Sequence, residues 1–192
     1  MDDVNRGRRT LMLLALVFLG PMALAMGLYF SDFQWRPQAT TEHGELYRPV
    51  RPLPDFAITL PGSPSDNATL HGKWTLLHIG PGECGTECDA ALVATRQVRR
   101  ALGRDMERVQ RVFLVTSGNA DHAALTAGHP DIGLTERAPE AAEVLAVIGA
   151  TAPGEVYLID PLGTLVMRYP AHATMKGMHT DLQRLLKVST IG

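Results

Sequence analysis

A run of twenty residues without a charged side chain, from Leu11 to Phe30, most constrains how this chain can fold. As a helix rising 1.5 Å per residue, it would cover roughly the 30 Å hydrocarbon core of a bilayer. Gly20 and Pro21 in its middle are tolerated in membrane helices, because neighbouring groups satisfy the backbone that they free. The run therefore predicts one transmembrane helix over residues 11–30.

Basic residues are distributed unequally around this run. Three arginines stand within the first nine residues of the chain, whereas Arg36 alone follows the run closely. Loops on the cytoplasmic side of a membrane carry the excess of lysine and arginine. We therefore expect residues 1–10 to be a cytoplasmic tail and everything after the helix to lie on the other side of the membrane.

A cleaved signal peptide is the alternative interpretation of the same segment. Ala23-Leu24-Ala25 resembles the small-residue site at which such peptides are cut. However, the apolar run continues for five residues beyond this site and is long for the apolar region of a signal peptide. An uncleaved membrane anchor is the favoured interpretation, and the remaining domain is exported in either case.

The segment that follows, residues 31–53, contains Pro37, Pro49 and Pro52 and has little apolar periodicity. Such a stretch is typical of an extended tether. From residue 54 the pattern becomes that of a folded domain, and the whole chain is 45% hydrophobic and 20% charged. Its net charge of −2 and the absence of a basic stripe with interleaved aromatic residues argue against nucleic acid as a partner.

Strand and helix patterns alternate over residues 54–192. The strand patterns are Phe56–Leu60, Trp74–Ile79, Val112–Val115, Val156–Ile159 and Thr164–Tyr169; the helix patterns are Asp89–Leu102, Asp121–Ala127, Pro139–Ile148 and a last segment from about Thr180. WTLLHI is a nearly continuous apolar run, as in a strand that is buried on both faces. The turn Asp160-Pro161-Leu162-Gly163 predicts a hairpin. This order predicts an α/β domain with a mixed sheet flanked by helices, compatible with a thioredoxin-like fold.

The only two cysteines of the chain, Cys84 and Cys88, lie in GPGECGTECDA, directly after the WTLLHI strand. A disulfide across so short a loop would stabilise the fold by about 2 kcal/mol, against about 4.7 for a loop of a hundred residues. Cys88 falls in the first turn of the next helix, where backbone N–H groups and the helix dipole favour thiolate. Two such thiolates can cycle between dithiol and disulfide, or bind a soft ion such as Cu(I).

Several motifs, taken together with the membrane anchor, resemble those of a known family. They are Pro54-Asp55-Phe56, Gly72-Lys73-Trp74-Thr75-Leu76-Leu77, Gly80, Cys84-x-x-x-Cys88 and Tyr157-Leu158-Ile159-Asp160-Pro161-x-Gly163. They are similar to those of the Sco/SenC copper chaperones, thioredoxin-fold proteins that serve cytochrome c oxidase assembly. The resemblance covers most of residues 54–187 and implies that Cys84 and Cys88 correspond to the two cysteine ligands of copper in that family.

The family's histidine ligand has no counterpart, because its position falls on Ala152 in GATAPGEVYLID. Two thiolates still suit Cu(I), which accepts two-coordination, but the ligand suited to Cu(II) is lost. His78, six residues before Cys84, is the candidate replacement ligand; the favoured alternative is a core histidine satisfied by a backbone carbonyl. In HATMKGMH, His172–His179, we expect a loop whose methionines fill gaps in packing rather than a copper site.

Two further histidines, His122 and His129, fall in polar segments, where we expect them to be solvated. The motifs favour a single-pass protein of the bacterial inner membrane with its Sco-like domain, residues 54–192, in the periplasm. There Cys84 and Cys88 are expected to bind Cu(I) or to exchange thiol and disulfide, with Cys84 attacking and Cys88 resolving.

The resemblance implies copper as the cofactor, and cytochrome c oxidase subunit II or another oxidase assembly factor as the partner. Such a protein is a metallochaperone more than an enzyme. Two other functions remain open from the residues. One is a non-catalytic scaffold with a permanent disulfide between Cys84 and Cys88; the other is a general periplasmic thiol–disulfide oxidoreductase.

Overall fold

The computed structural model describes residues 2–30, 42–56, 58–59, 70–118, 122–135, 139–149, 151–189 and 191. The chain divides into two compact units, residues 1–40 and residues 41–192.

The first unit is built on helix α1, Asp2–Phe30. Its segment Arg6–Gly27 is long and apolar enough to cross a membrane, judged by length and composition alone. Large apolar side chains are exposed along it, as for Phe18, which is 75% exposed. Exposed apolar side chains along a helix of this length fit the predicted membrane span. The helix also includes residues 2–10 of the expected tail.

The described residues of the second unit form six strands and the remaining helices. In chain order they are β1 (Glu45–Pro52), β2 (Trp74–Gly80), α2 (Thr86–Ala101), a 3-10 helix (Gly103–Arg108), β3 (Val109–Val115), α3 (His122–Gly128), β4 (Ile132–Thr135), α4 (Pro139–Ile148), β5 (Val156–Ile159), β6 (Thr164–Tyr169) and α5 (Met175–Val188). The strands form one sheet in the order β1-β6-β5-β2-β3-β4. The pairs β2–β3 and β3–β4 are parallel, and the other three pairs are antiparallel.

Helices cover both faces of this sheet. On one face, Leu77 of β2 belongs to the same core cluster as Val144 of α4. On the other face, Leu76 belongs to a cluster that includes residues of α2 and α5. Neighbouring residues of β2 therefore face two different helical layers, and this is why the strand is apolar along nearly its whole length. The predicted mixed sheet flanked by helices is confirmed.

Helix α2 and strand β3 each begin three residues before their predicted starts, Asp89 and Val112, and three further elements differ more strongly. Residues 45–52, expected to be part of the tether, form an edge strand that pairs with β6, and an edge position tolerates the prolines in this segment. Strand β4 was not predicted, because its four residues are too few to show a period. Helix α5 begins at Met175 instead of about Thr180, since Thr174 caps it by accepting a hydrogen bond from the N–H of Gly177 at 3.1 Å.

The predicted strand Phe56–Leu60 is seen only as a short bridge. Thr59 exchanges two backbone hydrogen bonds with Leu134 of β4, at 2.8 and 2.9 Å. Residues 57 and 60 lie outside the described residues. The predicted helix at Pro139–Ile148 and the hairpin strands Val156–Ile159 and Thr164–Tyr169 are confirmed with the same bounds.

Candidate redox site at Cys84 and Cys88

The two cysteines form a disulfide at the carboxyl end of β2. Their Cα atoms are 5.4 Å apart, and both residues are half-buried. Cys84 lies in the loop after the strand, and Cys88 is the third residue of α2. The two side chains pack against an apolar cluster that includes Leu92 of α2 and Phe113 of β3. The sequence therefore placed both cysteines correctly relative to the strand and the helix.

Backbone hydrogen bonds hold the loop between β2 and α2. The N–H of Gly82 donates to the carbonyl oxygen of Ser117 at 2.8 Å, and the N–H of Thr116 donates to that of Gly80 at 2.9 Å. The loop is thus attached to the end of the parallel strand β3. Gly85, the residue before α2, provides no side-chain cap, so the first-turn N–H groups of the helix lie close to Cys88.

A cavity of about 590 Å³ opens beside the disulfide. Its lining includes His78, Glu83, Glu87, Cys88, Ala152 and Glu155. Residues from the end of β2, the first turn of α2 and the loop before β5 therefore meet at one place. The position at which the family resemblance puts a histidine, Ala152, lines the same cavity as Cys88, but its side chain is a methyl group without donor atoms.

The carboxylate of Glu155 fixes the loop that carries Ala152. Its Oε2 atom accepts hydrogen bonds from the backbone N–H of Ala152 at 3.0 Å and from the hydroxyl of Tyr157 at 2.6 Å. Its Oε1 atom is 3.2 Å from Nη1 of Arg168. Burial and the neighbouring Glu155 carboxylate raise the pKa of Tyr157 far above its usual range, so this hydroxyl keeps its proton and donates.

Gly154 brings this loop against the first turn of α2. Its φ of +77° is in the left-handed region that favours glycine. A Cβ atom at this position would lie 3.2 Å from the carbonyl oxygen of Glu87 and 3.1 Å from Cβ of Ala171. The loop can therefore lie this close to the first turn of α2 only because Gly154 has no side chain. This close contact sets the width of the cavity at this point.

His78 is buried in the cavity wall and held by α2. Its Nε2 atom is 2.9 Å from Oγ1 of Thr95, and that hydroxyl donates to the carbonyl oxygen of Ala91 at 3.0 Å. Since Thr95 has one hydroxyl proton, its oxygen accepts from His78, which assigns the proton of the neutral ring to Nε2. Burial, with smaller contributions from Arg111 and His129, lowers the pKa of His78 well below its usual range.

The ligand role of His78 stays a prediction. The ring is neutral, has an unprotonated Nδ1 and has a hydrogen-bonded partner on the other nitrogen, as metal-binding histidines do. However, Thr95 lies seven residues after Cys88 in α2, which corresponds to about 10 Å along the helix axis. His78 is therefore anchored two helical turns away from Cys88, on the wall of the cavity that both residues line.

Arg111 is a buried cation beneath α2 that the sequence patterns did not single out. Its side chain is fully buried, and it donates to Oγ1 of Thr95 at 3.1 Å, to the carbonyl oxygen of Leu92 at 2.5 Å and to Oδ1 of Asp131 at 2.8 Å. Burial lowers its pKa to about 10, against the raising effect of Asp131. The signal in the sequence was one charged residue within the apolar strand VQRVFLV.

Several other predicted residues have structural roles. His129 was expected to be solvated; that expectation is wrong, because the residue is 5% exposed and its Nε2 atom lies 3.5 Å from Oδ1 of Asp89. Met178 fills the core, as expected, whereas Met175 is exposed. His179 lies 3.3 Å from the carbonyl oxygen of Ala101. The side chain of His122 lies outside the described part of the chain.

The donor atoms at the cavity suit Cu(I) better than Cu(II). Once reduced, Cys84 and Cys88 offer two soft sulfur ligands on neighbouring elements. Within the described ranges, no three or more histidine, cysteine, aspartate or glutamate side chains are grouped so that they could hold one metal ion. The site is thus a two-sulfur centre in which thiol–disulfide chemistry needs no further ligand.

Comparison with solved structures confirms the expected resemblance at the level of the fold. The apo Sco1 protein of Thermus thermophilus is 23% identical, with a TM-score of 0.58, and the match covers 77% of this chain and 99% of that protein. The copper-bound ScoI of Bradyrhizobium japonicum is 24% identical, with a TM-score of 0.52 and coverage of 68% and 97%. BsSco, described as a Sco-family protein with a disulfide switch, is 12% identical, with a TM-score of 0.53 and coverage of 73% and 96%.

Two family models match the sequence. One, described as a transmembrane-like, N-terminal domain, matches residues 2–32. The other, described as a transmembrane-like, thioredoxin-like, C-terminal domain, matches residues 74–189. No match was found among curated protein sequences. The second model covers more than half of the chain, and with it the strand, the cysteines and the cavity described above, so this protein belongs to the transmembrane-like, thioredoxin-like family.

Proposed function

We propose that this protein is a membrane-anchored, Sco-like assembly factor for cytochrome c oxidase that acts through Cys84 and Cys88. The observation that carries the proposal is the half-buried disulfide beside a cavity, on a fold shared with Sco proteins. The geometry best supports thiol–disulfide exchange, which requires two sulfurs and access to them. Binding of Cu(I) by the reduced pair is the second activity of the same site.

In the proposed exchange the reduced protein repairs oxidised copper-site cysteines of a partner, for which cytochrome c oxidase subunit II is the candidate. The Cys84 thiolate attacks one sulfur of the partner disulfide; the partner's S–S bond breaks, and a mixed disulfide forms. The Cys88 thiolate then attacks Cys84, which releases the partner as a dithiol. Two electrons and two protons pass to the partner, and an external dithiol must reduce this protein again.

Two relatives support the wider assignment. BsSco is named as a member of the Sco family of cytochrome c oxidase assembly proteins, and its structure is said to identify a disulfide switch. ScoI of Bradyrhizobium japonicum was solved with copper bound. For this chain we infer attachment to the bacterial inner membrane through α1, with residues 31–192 on the periplasmic side, because the arginines precede the apolar run.

Ala152 decides which copper state the site can serve. Ala152 and Cys88 line the same cavity. A copper ion that takes a third ligand would need it from a position such as this one. A methyl group supplies none, so two-coordinate Cu(I) is the form that the reduced pair can carry. We therefore propose transient Cu(I) handling, with no role for Cu(II).

A non-catalytic scaffold is the main competing function, and one observation favours it: both cysteines pack against the apolar cluster around Phe113. A buried, permanent bridge would have a very low reduction potential, below about −300 mV. A general periplasmic oxidoreductase is the third candidate, and it would turn over generic disulfides without preference.

The test uses the full-length chain in detergent, reduced under anaerobic conditions and titrated with Cu(I) against a chromophoric competitor. The matched control is Cys84→Ser/Cys88→Ser. The reduction potential of the wild-type pair is measured in parallel in defined thiol–disulfide buffers.

Tight one-to-one binding that the double variant loses supports copper handling. An absence of binding combined with a potential above about −300 mV leaves exchange as the function. No binding together with a potential below that value would refute the proposal in favour of the scaffold.

A further inference from the structure

Acidic residues flank both cysteines of the disulfide. The segment GPGECGTECDA contains three acidic residues and no basic one. Glu83 directly precedes Cys84, and Glu87 directly precedes Cys88. Both glutamates are exposed, and both line the cavity beside the disulfide. Any group that reaches the disulfide at Cys88 through this cavity therefore passes two carboxylates.

Glu155, the third glutamate that lines the cavity, does not add an uncompensated negative charge. Glu155 is compensated by Arg168, at 3.2 Å, and by two further hydrogen-bond donors. Within the part of the chain that the structure describes, Glu83 and Glu87 form no ion pair, and no lysine or arginine lines the cavity. Glu83 and Glu87 are thus the uncompensated charges among the described residues that line the cavity, whereas Asp89, which follows Cys88, lies 3.5 Å from His129.

These carboxylates act on an incoming thiol through its charge. The attacking species in thiol–disulfide exchange is a thiolate, and the leaving cysteine is also a thiolate. Both anions are disfavoured beside Glu83 and Glu87. A lysine or arginine next to the attacking cysteine would cancel this repulsion, since opposite charges at short range attract and steer encounter.

We propose that the partner of Cys84 and Cys88 presents a cysteine that is flanked by basic side chains, which pair with Glu83 and Glu87. This inference rests on the proposed exchange function and narrows its partner. The partner segment enters the cavity, its cysteine reacts at the disulfide, and the two glutamates favour positively charged side chains beside that cysteine. The preference for basic over acidic side chains beside the partner cysteine is electrostatic, so salt weakens it.

The experiment follows reduction of the oxidised, full-length chain in detergent by two pentapeptides. Each has one central cysteine, flanked in one peptide by lysines and in the other by glutamates. A peptide thiolate attacks the protein disulfide, the S–S bond breaks, and a mixed disulfide forms while one protein cysteine leaves as a thiolate. A second peptide thiolate resolves this species to a peptide disulfide and the protein dithiol.

Rates are measured by quenching with an alkylating reagent and mass spectrometry, and they are expressed per peptide thiolate, because the flanking charges change the peptide thiol pKa. In low salt we expect the lysine peptide to react about tenfold faster, and in roughly 1 M salt the two rates should converge. In Glu83→Gln/Glu87→Gln the preference should disappear even at low salt.

The matched control is Glu107→Gln/Glu143→Gln, which removes the same charge at exposed positions away from the cavity. It should keep the wild-type preference. Equal rates for both peptides in the wild type, or a preference that survives Glu83→Gln/Glu87→Gln, would overturn the inference and leave the exchange function standing. If neither peptide reduces the disulfide, the exchange function itself fails, and the inference fails with it.

Discussion

At the scale of single residues, two positions on the cavity wall define the chemistry open to Cys88. His78 provides a neutral ring held by Thr95, and Ala152 provides a methyl group on the loop before β5. Neither brings a charge to the cavity at neutral pH. The charges of the cavity come from carboxylates, and for this reason the site favours partners with a lysine or arginine beside the reacting cysteine.

The buried ring of His78 should make stability depend on pH. Its pKa is lowered in the folded protein, so the unfolded chain, with a pKa near 6.5, binds one proton more as the pH falls below that value. The free energy of unfolding should therefore decrease with falling pH, by up to about 1.4 kcal/mol per pH unit. In His78→Gln, which keeps an N–H donor for Thr95, this contribution should vanish.

The measurement is urea unfolding of both proteins at several values between pH 7.5 and 5. The difference between wild type and His78→Gln should change across this range, in the direction that favours the variant at low pH. Parallel curves would show that His78 takes up its proton equally in both states.

Replacement of Ala152 by histidine should add the missing ligand. The side chain at this position lines the same cavity as Cys88, and an imidazole with two thiolates suits Cu(II). We expect reduced Ala152→His to show a sulfur-to-Cu(II) charge-transfer band that is absent in the wild type, measured by anaerobic absorption titration. Ala152→Phe controls for bulk, and an identical band in both variants would place the ligand elsewhere.

At the scale of elements, the site depends on how α2 and the loop before β5 are held. Helix α2 is fixed from below by Arg111 of β3, which donates to the carbonyl oxygen of Leu92 and to Thr95. The loop is fixed by Glu155 and by the close approach of Gly154 to the helix. Both sets of contacts reach backbone atoms of the helix or the loop, so they set the shape of the cavity more than its charge.

Gly154→Ala should cost more stability than a change at another left-handed glycine. Gly149 has a φ of +90° with nothing within 4 Å of an added Cβ, whereas an added Cβ at Gly154 would meet the Glu87 carbonyl oxygen at 3.2 Å. Both substitutions incur a backbone penalty of about 1–2 kcal/mol. Only Gly154→Ala must also displace backbone.

Urea unfolding of Gly154→Ala and Gly149→Ala separates the two effects, and the rate of disulfide reduction serves as a second readout. We expect the larger loss of stability and the changed rate in Gly154→Ala alone. Equal losses and equal rates would mean that the loop adapts to a side chain without moving against α2.

At the scale of the whole molecule, we expect the domain to stay folded without its disulfide. The sheet has a core cluster on each face, and the bridge closes a loop of only a few residues. A loop of this length contributes about 2 kcal/mol by the chain-entropy estimate. Reduction should therefore lower the free energy of unfolding by about that amount and leave a cooperatively folded domain.

Urea unfolding with and without reductant tests this expectation, and Cys84→Ser/Cys88→Ser shows any effect of the reductant itself. Loss of cooperative unfolding in the reduced wild type would support a structural bridge. Retention of the fold is required of a centre that works in both oxidation states.

Local patterns were sufficient for much of this protein. The charge-free run Leu11–Phe30 required a helix, the period and turn residues of the last two strands set their bounds, and Cys84 and Cys88 could be placed between strand β2 and helix α2. Each of these features depends on neighbours in sequence, through hydrogen bonding, side-chain period or turn chemistry.

Tertiary structure alone decided the rest. Strand β1 forms by pairing with the edge of β6, and strand β4 forms by pairing with the edge of β3. Neither segment has a strand period in its own sequence. The same holds for the burial of Arg111 and His129, whose partners Asp131 and Asp89 lie on other segments of the chain. The sequence by itself determined the long apolar helix, the fold class and the position of the thiols. Packing decided which residues share a cavity with them, because burial and pairing between distant segments leave no periodic trace in the chain.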